Sequence, residues 1–182
     1  MARPNRGNVP AGIYHVTRRS AGSIDMFRDD FDRTDFCRRL ERAIKRFTWT
    51  CHAFVLMDTH YHLLLAVPSN TLQPGMHALN GPYAQAFNRR WGRTGHLRGS
   101  PYTLKPILDD GHLLSAVRYI ARNPVRARLC AAAADWIWGS YRGCVVAAER
   151  RFGFVTDALT LACLSDDRET ARRFLRLIVE TP

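Results

Sequence analysis

The sequence predicts an α+β domain: an antiparallel sheet with helices packed on one face, the other face left for a ligand. Three observations carry that prediction. Short runs rich in β-branched and aromatic residues are separated by turn residues, longer charged segments repeat their apolar residues at helical spacing, and the two kinds follow one another as strand, helix, two strands, helix, strand, helix.

Residues 1–10 carry two prolines and two arginines and read as a basic N-terminal arm. Gly12 to Arg18 is β-branched and aromatic enough for a first strand. From Asp29 to Phe47 the positions Phe31, Phe36, Leu40, Ile44 and Phe47 recur at helical spacing among charges, which predicts an amphipathic helix with an arginine-rich outer face. Trp49 to Met57 and His60 to Val67 are apolar runs separated by Asp58-Thr59, the pattern of two adjacent antiparallel strands. Leu72 to Trp91 reads as a second helix, interrupted at Gly81-Pro82. Residues 92–101 hold three glycines and a proline and read as a loop, and Tyr102 to Leu108 as a short strand. A third helix is expected from His112 to Asn123, stopped by Pro124, with a further helical stretch from Val125 to Ala134. Asp135 to Arg142, with two tryptophans, reads as a closing wedge. Asp157 to Cys163 and Asp167 to Val179 read as helices, the latter capped by Asp166. Residues 11–142 thus form the expected domain, and 143–182 a helical C-terminal extension.

Composition narrows the function. A chain of 182 residues is long enough to bury a core of its own. No stretch approaches the roughly 18 consecutive apolar residues of a membrane span, and Met-Ala-Arg-Pro-Asn-Arg leads into no apolar leader, so a cytoplasmic location is expected. Five scattered cysteines without a Cys-x-x-Cys pair suggest neither a disulfide framework nor a zinc knuckle. The net charge of +11 is unevenly spread: eleven basic against six acidic side chains in residues 1–50, nine against three in 51–130, seven against seven in 131–182. All but Lys45 and Lys105 of the basic residues are arginines, whose planar guanidinium matches phosphate oxygens. A polyanionic partner follows, nucleic acid first.

The chemistry-bearing residues begin with His60-Tyr61-His62. On a strand, a period of two puts both imidazoles on one face, roughly 7 Å apart at Cα, close enough to lean onto one metal ion. Two histidines hydrogen-bonded at a sheet surface would leave the same trace. In the third helix, at about 100° per residue, Leu113, Val117, Ile120 and Ala121 fall in one sector and Tyr119 and Asn123 on the opposite side, one turn apart. A half-buried tyrosine beside a capping asparagine is the plainer alternative. Set beside the imidazole pair, the phenol gains chemistry: a metal can polarise a phosphoryl oxygen while a deprotonated tyrosine attacks it.

In order, Tyr14-His15-Val16-Thr17, Leu56-Met57-Asp58-Thr59-His60-Tyr61-His62-Leu63-Leu64, Gly95-His96-Leu97 and Tyr119-Ile120-Ala121-Arg122-Asn123-Pro124-Val125-Arg126-Ala127 resemble the single-tyrosine HUH transposases, and among them the REP-associated tyrosine transposases. The resemblance runs from about residue 12 to Arg142. It implies the ferredoxin-like HUH nuclease fold and cleavage of single-stranded DNA at or beside hairpins, with a 5′-phosphotyrosine intermediate and a free 3′-hydroxyl for rejoining. It further implies Tyr119 as nucleophile, His60, His62 and Asn123 as ligands, and Mg²⁺ or Mn²⁺ as the ion. Chemistry alone leaves Mn²⁺ or Zn²⁺ equally open, since Mg²⁺ prefers all-oxygen sites. The sequence departs from the family at Thr59, where asparagine is usual. It departs again at Arg98-Gly99-Ser100-Pro101, where relatives continue with an aromatic residue and Gln-Gly-Arg.

Flanking the site in sequence, Arg18, Arg19, Arg89, Arg90, Arg122 and Arg126 are the expected phosphate contacts. Tyr14, Tyr61 and Trp91 are read first as core and second as stacking platforms. His15, His52, His77, His96 and His112 are read as structural, with His112 nearest to Tyr119's face. The expected partner is single-stranded or hairpin DNA, bound by a monomer or a homodimer. A non-catalytic nucleic-acid-binding regulator with a decayed centre, or a phosphodiesterase that uses water, remains the alternative.

Overall fold

The computed structural model describes residues 9–20, 22, 24–97, 99 and 101–181. The expected basic arm therefore lies outside the described residues except for Val9 and Pro10. The strands are β1 (Gly12–Arg19), β2 (Thr50–Leu56), β3 (His60–Val67) and β4 (Thr103–Pro106), and the helices are α1 (Asp30–Phe47), α2 (Leu72–Arg90), α3 (Asp110–Arg126), α4 (Tyr141–Val145), α5 (Ala158–Ala162) and α6 (Arg168–Glu180). The strands form one antiparallel sheet in the order β2-β3-β1-β4. The α+β reading of the sequence is the observed architecture.

Alternation along the strands decides where the core sits. Tyr14 and Val16 of β1, Phe54 and Leu56 of β2, and Tyr61, Leu63, Leu65 and Val67 of β3 point to one face. There they meet Phe36, Leu40 and Ile44 of α1 and Leu72, Met76, Leu79, Tyr83 and Phe87 of α2. At Gly75 of α2 a Cβ would stand 2.1 Å from the Trp49 ring, so glycine is what lets this helix close on the end of α1. A β-bulge between Cys51 and Ala53 keeps Phe54 and Leu56 facing that core.

The opposite face is not left bare as expected. Ala53, Val55 and Leu64 pack against Leu113, Val117, Ile120 and Ala121 of α3 and against Leu161, Ala171, Leu175 and Val179 of the C-terminal helices. Helices therefore lie on both sides, because residues 143–182 carry apolar stripes that need a surface and β2–β3 supplies it. This second layer covers the β1 side of that face less fully: Ile13 packs against it, and His15 and Thr17 beyond it are polar and partly exposed.

Several boundaries moved for local reasons. The Asp29 carboxylate caps α1 by accepting from Asp32 N at 3.0 Å, and Asp167, not Asp166, caps α6 by accepting from Thr170 N at 2.7 Å. Phe31, expected on the buried stripe of α1, is 61% exposed in the first turn. α2 continues through Pro82, held on either side by Leu79 and Tyr83. Pro124 does not stop α3: its buried ring sits in the last turn and the helix ends at Arg126. A proline there removes only one hydrogen bond near an end that frays in any case. Past it Arg128 adopts φ 58° and Leu129 N donates to Pro124 O at 2.9 Å, so the chain turns where a second helical stretch was expected. The tryptophan wedge covers the outer edge of β2: Leu56 N donates to Trp138 O at 2.9 Å and Trp136 Nε1 to Leu56 O at 3.0 Å. Among the described residues no helix is long and apolar enough to cross a membrane.

Candidate active site

The hairpin between β2 and β3 presents His60. Met57 N donates to His60 O at 2.8 Å, and the Asp58 carbonyl accepts from Met26 N at 2.7 Å and Phe27 N at 3.0 Å, while the buried Arg33 pairs with the Asp58 carboxylate. The turn is thus clamped from the β1–α1 connection, and β3 starts at His60 with His62 on the same face. Their ring centroids are 5.1 Å apart and nearly perpendicular. The register of β1 against β3 sets Arg19 opposite His60, Thr17 opposite His62 and His15 opposite Leu64.

α3 brings the phenol to this strip. The Asp109 carboxylate caps it by accepting from His112 N at 2.7 Å, and the buried stripe from Leu113 to Ala121 seats it on β2 and β3, which turns Tyr119 and Asn123 toward the histidines. The Tyr119 ring lies edge-on to His62 at 5.4 Å and to His15 at 5.8 Å, yet remains 41% exposed. Asn123 Nδ2 donates to Tyr119 O at 2.7 Å, which leaves its amide oxygen as the free acceptor. That amide faces both imidazoles and works against the depression of their pKa values. The four residues singled out as nucleophile and ligands thus lie together.

Both imidazoles are held neutral. Burial first, then the Arg19 guanidinium, brings His60 down to about 4. Burial, then the neighbouring His15 and His60 rings, brings His62 down to about 3. Neutral rings offer lone pairs. Nε2 of His62 is buried and makes no hydrogen bond, an arrangement that costs free energy unless something is bound there. Among the described residues no group of three or more His, Cys, Asp or Glu side chains could hold a metal ion. The donor set is therefore two imidazole nitrogens and one amide oxygen. It fits a divalent ion that takes its remaining ligands from phosphate and water oxygens. The thiols offer no competing chemistry: burial pushes Cys37 and Cys144 up to about 12.

The six arginines divide. Arg19 is exposed beside His60, and the Arg126 guanidinium lies 5.4 Å from the centre of the Tyr119 ring. Arg126, Arg122 and Arg118, one turn apart on α3, line with Ser115 and Tyr119 an open cleft of about 430 Å³. Arg122 also donates to Val179 O at 3.0 Å and to Thr181 O, fastening the end of α6. Arg18 is buried and points by strand parity to the other face, where it lines a groove with Gln73, His77 and Tyr102. Arg89 is exposed at the end of α2. Arg90 is engaged within the protein: it pairs with Asp29 and Asp32 at 2.6 Å and lies over Phe31 and Trp91. Tyr61, Tyr14 and Trp91 also serve the fold, since Tyr61 donates to Asn80 Oδ1 at 2.9 Å, Tyr14 to Pro10 O at 3.0 Å and Trp91 Nε1 to Asp32 Oδ2 at 3.1 Å.

Sequence reasoning passed over His15 and Thr17. The signal was present: in Tyr14-His15-Val16-Thr17 the polar residues alternate with apolar ones, so a strand reading puts both on the face opposite the core.

No family model matches the sequence, and no curated protein does. Among solved structures, the chain superposes on a REP-associated tyrosine transposase bound to a REP hairpin with a TM-score of 0.66 at 16% identity, over 86% of this chain and 94% of that one. A second match, a Deinococcus radiodurans R1 chain described as a transposase, reaches a TM-score of 0.45 at 18% identity over 70% of this chain and 92% of that one, an overlap too loose to argue from. The first match shows the fold.

Proposed function

We propose that this chain, folded like a transposase solved on a REP hairpin, is a metal-dependent DNA strand transferase that cleaves and rejoins single-stranded DNA at or beside hairpins. The observation that carries the reading is the Tyr119 phenol standing edge-on to His62 at 5.4 Å while its ring stays open to solvent. A nucleophile must reach both the site and its substrate, and this one does.

Tyr119 attacks the scissile phosphorus, its phenolic proton passing to water at the exposed ring. A P–O bond to the phenol oxygen forms as the bond to the 3′-oxygen breaks, and the leaving oxygen takes a proton from water. The products are a 5′-phosphotyrosine and a 3′-hydroxyl, which can attack in reverse to rejoin strands. Arg126 and Arg19 flank the reacting position and balance phosphate charge. His60, His62 and Asn123 would hold Mg²⁺ or Mn²⁺, which supplies Lewis-acid stabilisation of the phosphoryl oxygens.

Incubation of the protein with 5′- and 3′-labelled single strands bearing a hairpin, with Mn²⁺, tests this directly. The expected result is a denaturant-resistant protein–DNA adduct that is absent for Tyr119→Phe. Cleavage without any adduct would establish the water-using phosphodiesterase instead. Binding without cleavage, unchanged by chelator, would establish the regulator.

A further inference from the structure

We infer that His15 and Thr17 of β1 are positioning residues that fix the tautomer and orientation of His62, so that its Nε2 lone pair faces the metal site. This rests on the metal-site reading above for its purpose, though not for its geometry.

Nδ1 of His62 lies 2.9 Å from His15 Nε2 and 2.9 Å from Thr17 Oγ1, and those two atoms are 3.3 Å apart. A neutral imidazole carries one N–H, and for Nε2 to offer its lone pair that hydrogen must be on Nδ1. The triangle accommodates that hydrogen. His62 Nδ1–H donates to the Thr17 hydroxyl, and the hydroxyl donates to the lone pair of His15 Nε2, whose own hydrogen is then on Nδ1. Every donor in the triangle has an acceptor, and no proton is left over. The alternative tautomer, with hydrogen on His62 Nε2, would turn that N–H toward the Asn123 amide and leave no lone pair for an ion.

Metal-binding histidines almost always donate their second nitrogen to a carboxylate, carbonyl or water, and loss of that partner costs about 10–100-fold in metal affinity. Here the partner is a hydroxyl backed by an imidazole. The charged or titratable groups bearing on His15, besides His62, are Lys105, His112 and Tyr119, and none of these is a carboxylate. The strand pairing makes the arrangement rigid: Thr17 is directly opposite His62 in the β1–β3 ladder, and His15 is one pleat further along the same face. His15 touches Tyr119 as well, at 5.8 Å between ring centres, so one side chain braces a metal ligand and the edge of the nucleophile.

The first test uses the native chain, metal-free, with ¹⁵N-labelled histidine. Long-range proton–nitrogen correlation, with His62 assigned by its loss in His62→Gln, should show hydrogen on Nδ1 in a single tautomer. Hydrogen on Nε2, or an averaged ring, overturns the proposal whatever the protein does to DNA. The second test measures Mn²⁺ affinity by electron paramagnetic resonance. His15→Phe combined with Thr17→Val should weaken binding about 10–100-fold, and Thr17→Ser, which keeps the hydroxyl, should bind as the native chain does. Equal affinity in the double variant and the native chain overturns the proposal. If the double variant does not fold, Thr17→Val against Thr17→Ser gives the same comparison. Native protein that binds no Mn²⁺ yet shows the single Nδ1–H tautomer defeats the metal-site reading while the positioning geometry stands.

Discussion

The two faces of the β1–β3 ladder are made by alternate residues of the same strands, and they have opposite characters. On one, Tyr14, Val16, Tyr61, Leu63 and Leu65 are sealed under α1 and α2. On the other, one residue along, His15, Thr17, His60 and His62 form a polar strip beside α3, His60 and His62 buried and His15 and Thr17 partly so. The apolar face gains stability from burial. The polar face keeps a buried nitrogen without a partner, a cost to folding that makes sense as readiness for a ligand. Neighbouring positions should therefore answer mutation in different currencies of measurement.

The largest effects belong to the polar strip and to activity. His62→Ala should yield no detectable adduct on hairpin-bearing single strands and no Mn²⁺ affinity in the folded protein, at a stability cost of about 1–3 kcal/mol from its lost contacts to His15 and Thr17. One residue on, Leu63→Ala should cost stability and spare the site. It is wholly buried, so truncation costs about 2–5 kcal/mol in equilibrium unfolding, while the folded fraction below the transition keeps its Mn²⁺ affinity. Should Leu63→Ala lose metal affinity in its folded state, the two faces are not separable and the comparison fails.

A finer contrast lies within the triplet itself. Tyr61, between the two histidines, donates from its hydroxyl to Asn80 in the closed core. Tyr61→Phe strands the Asn80 oxygen in an apolar setting, a loss of about 1–3 kcal/mol, and should leave adduct formation in the native protein's range. An activity defect larger than the stability loss explains would give this ring a role in DNA recognition, the reading the sequence ranked second.

What the sequence made legible follows the same division. Period-two and period-3.6 patterns report which side of an element is buried, so, while the meeting of Tyr119 with the His60–His62 pair was implied by the family resemblance, the succession of strands and helices and the helix stripes were readable. The second helical layer was not, because α5 and α6 show amphipathic stripes without saying which surface they cover. Nor was the fate of individual arginines. Arg90 and Arg126 read alike in sequence, but the first is held by Asp29 and Asp32 across the α1–α2 contact and the second rests on Tyr119. Ion pairing between elements distant in sequence has no periodic signature. Pro124 misled for a different reason: the rule for proline concerns helix interiors, and this one sits in a last turn where a missing N–H matters little.

The smallest predicted effects separate those arginines. Arg19 is exposed beside His60, so Arg19→Gln should lower the slope of log affinity against log salt for a single strand by about 0.7, the signature of one lost phosphate contact. Arg90→Gln should leave that slope unchanged and register only in the pH dependence of stability. Its hydrogen bond is the main reason the Asp29 carboxyl is pulled down to about 2, with the Asp32 and Phe31 amides adding to it. A carboxyl whose folded pKa is depressed contributes stability above its unfolded value, near 4, and loses it as pH falls through about 2. The native protein should therefore hold an advantage over Arg90→Gln at neutral pH that narrows between pH 4 and pH 2, followed by thermal melting at each pH. The pair is largely solvent-exposed, so the advantage is small and shrinks further in salt. An unchanged salt slope for Arg19→Gln together with a reduced one for Arg90→Gln would place the DNA track along the α1–α2 side. The polar strip would then lose its claim to be where the strand lies.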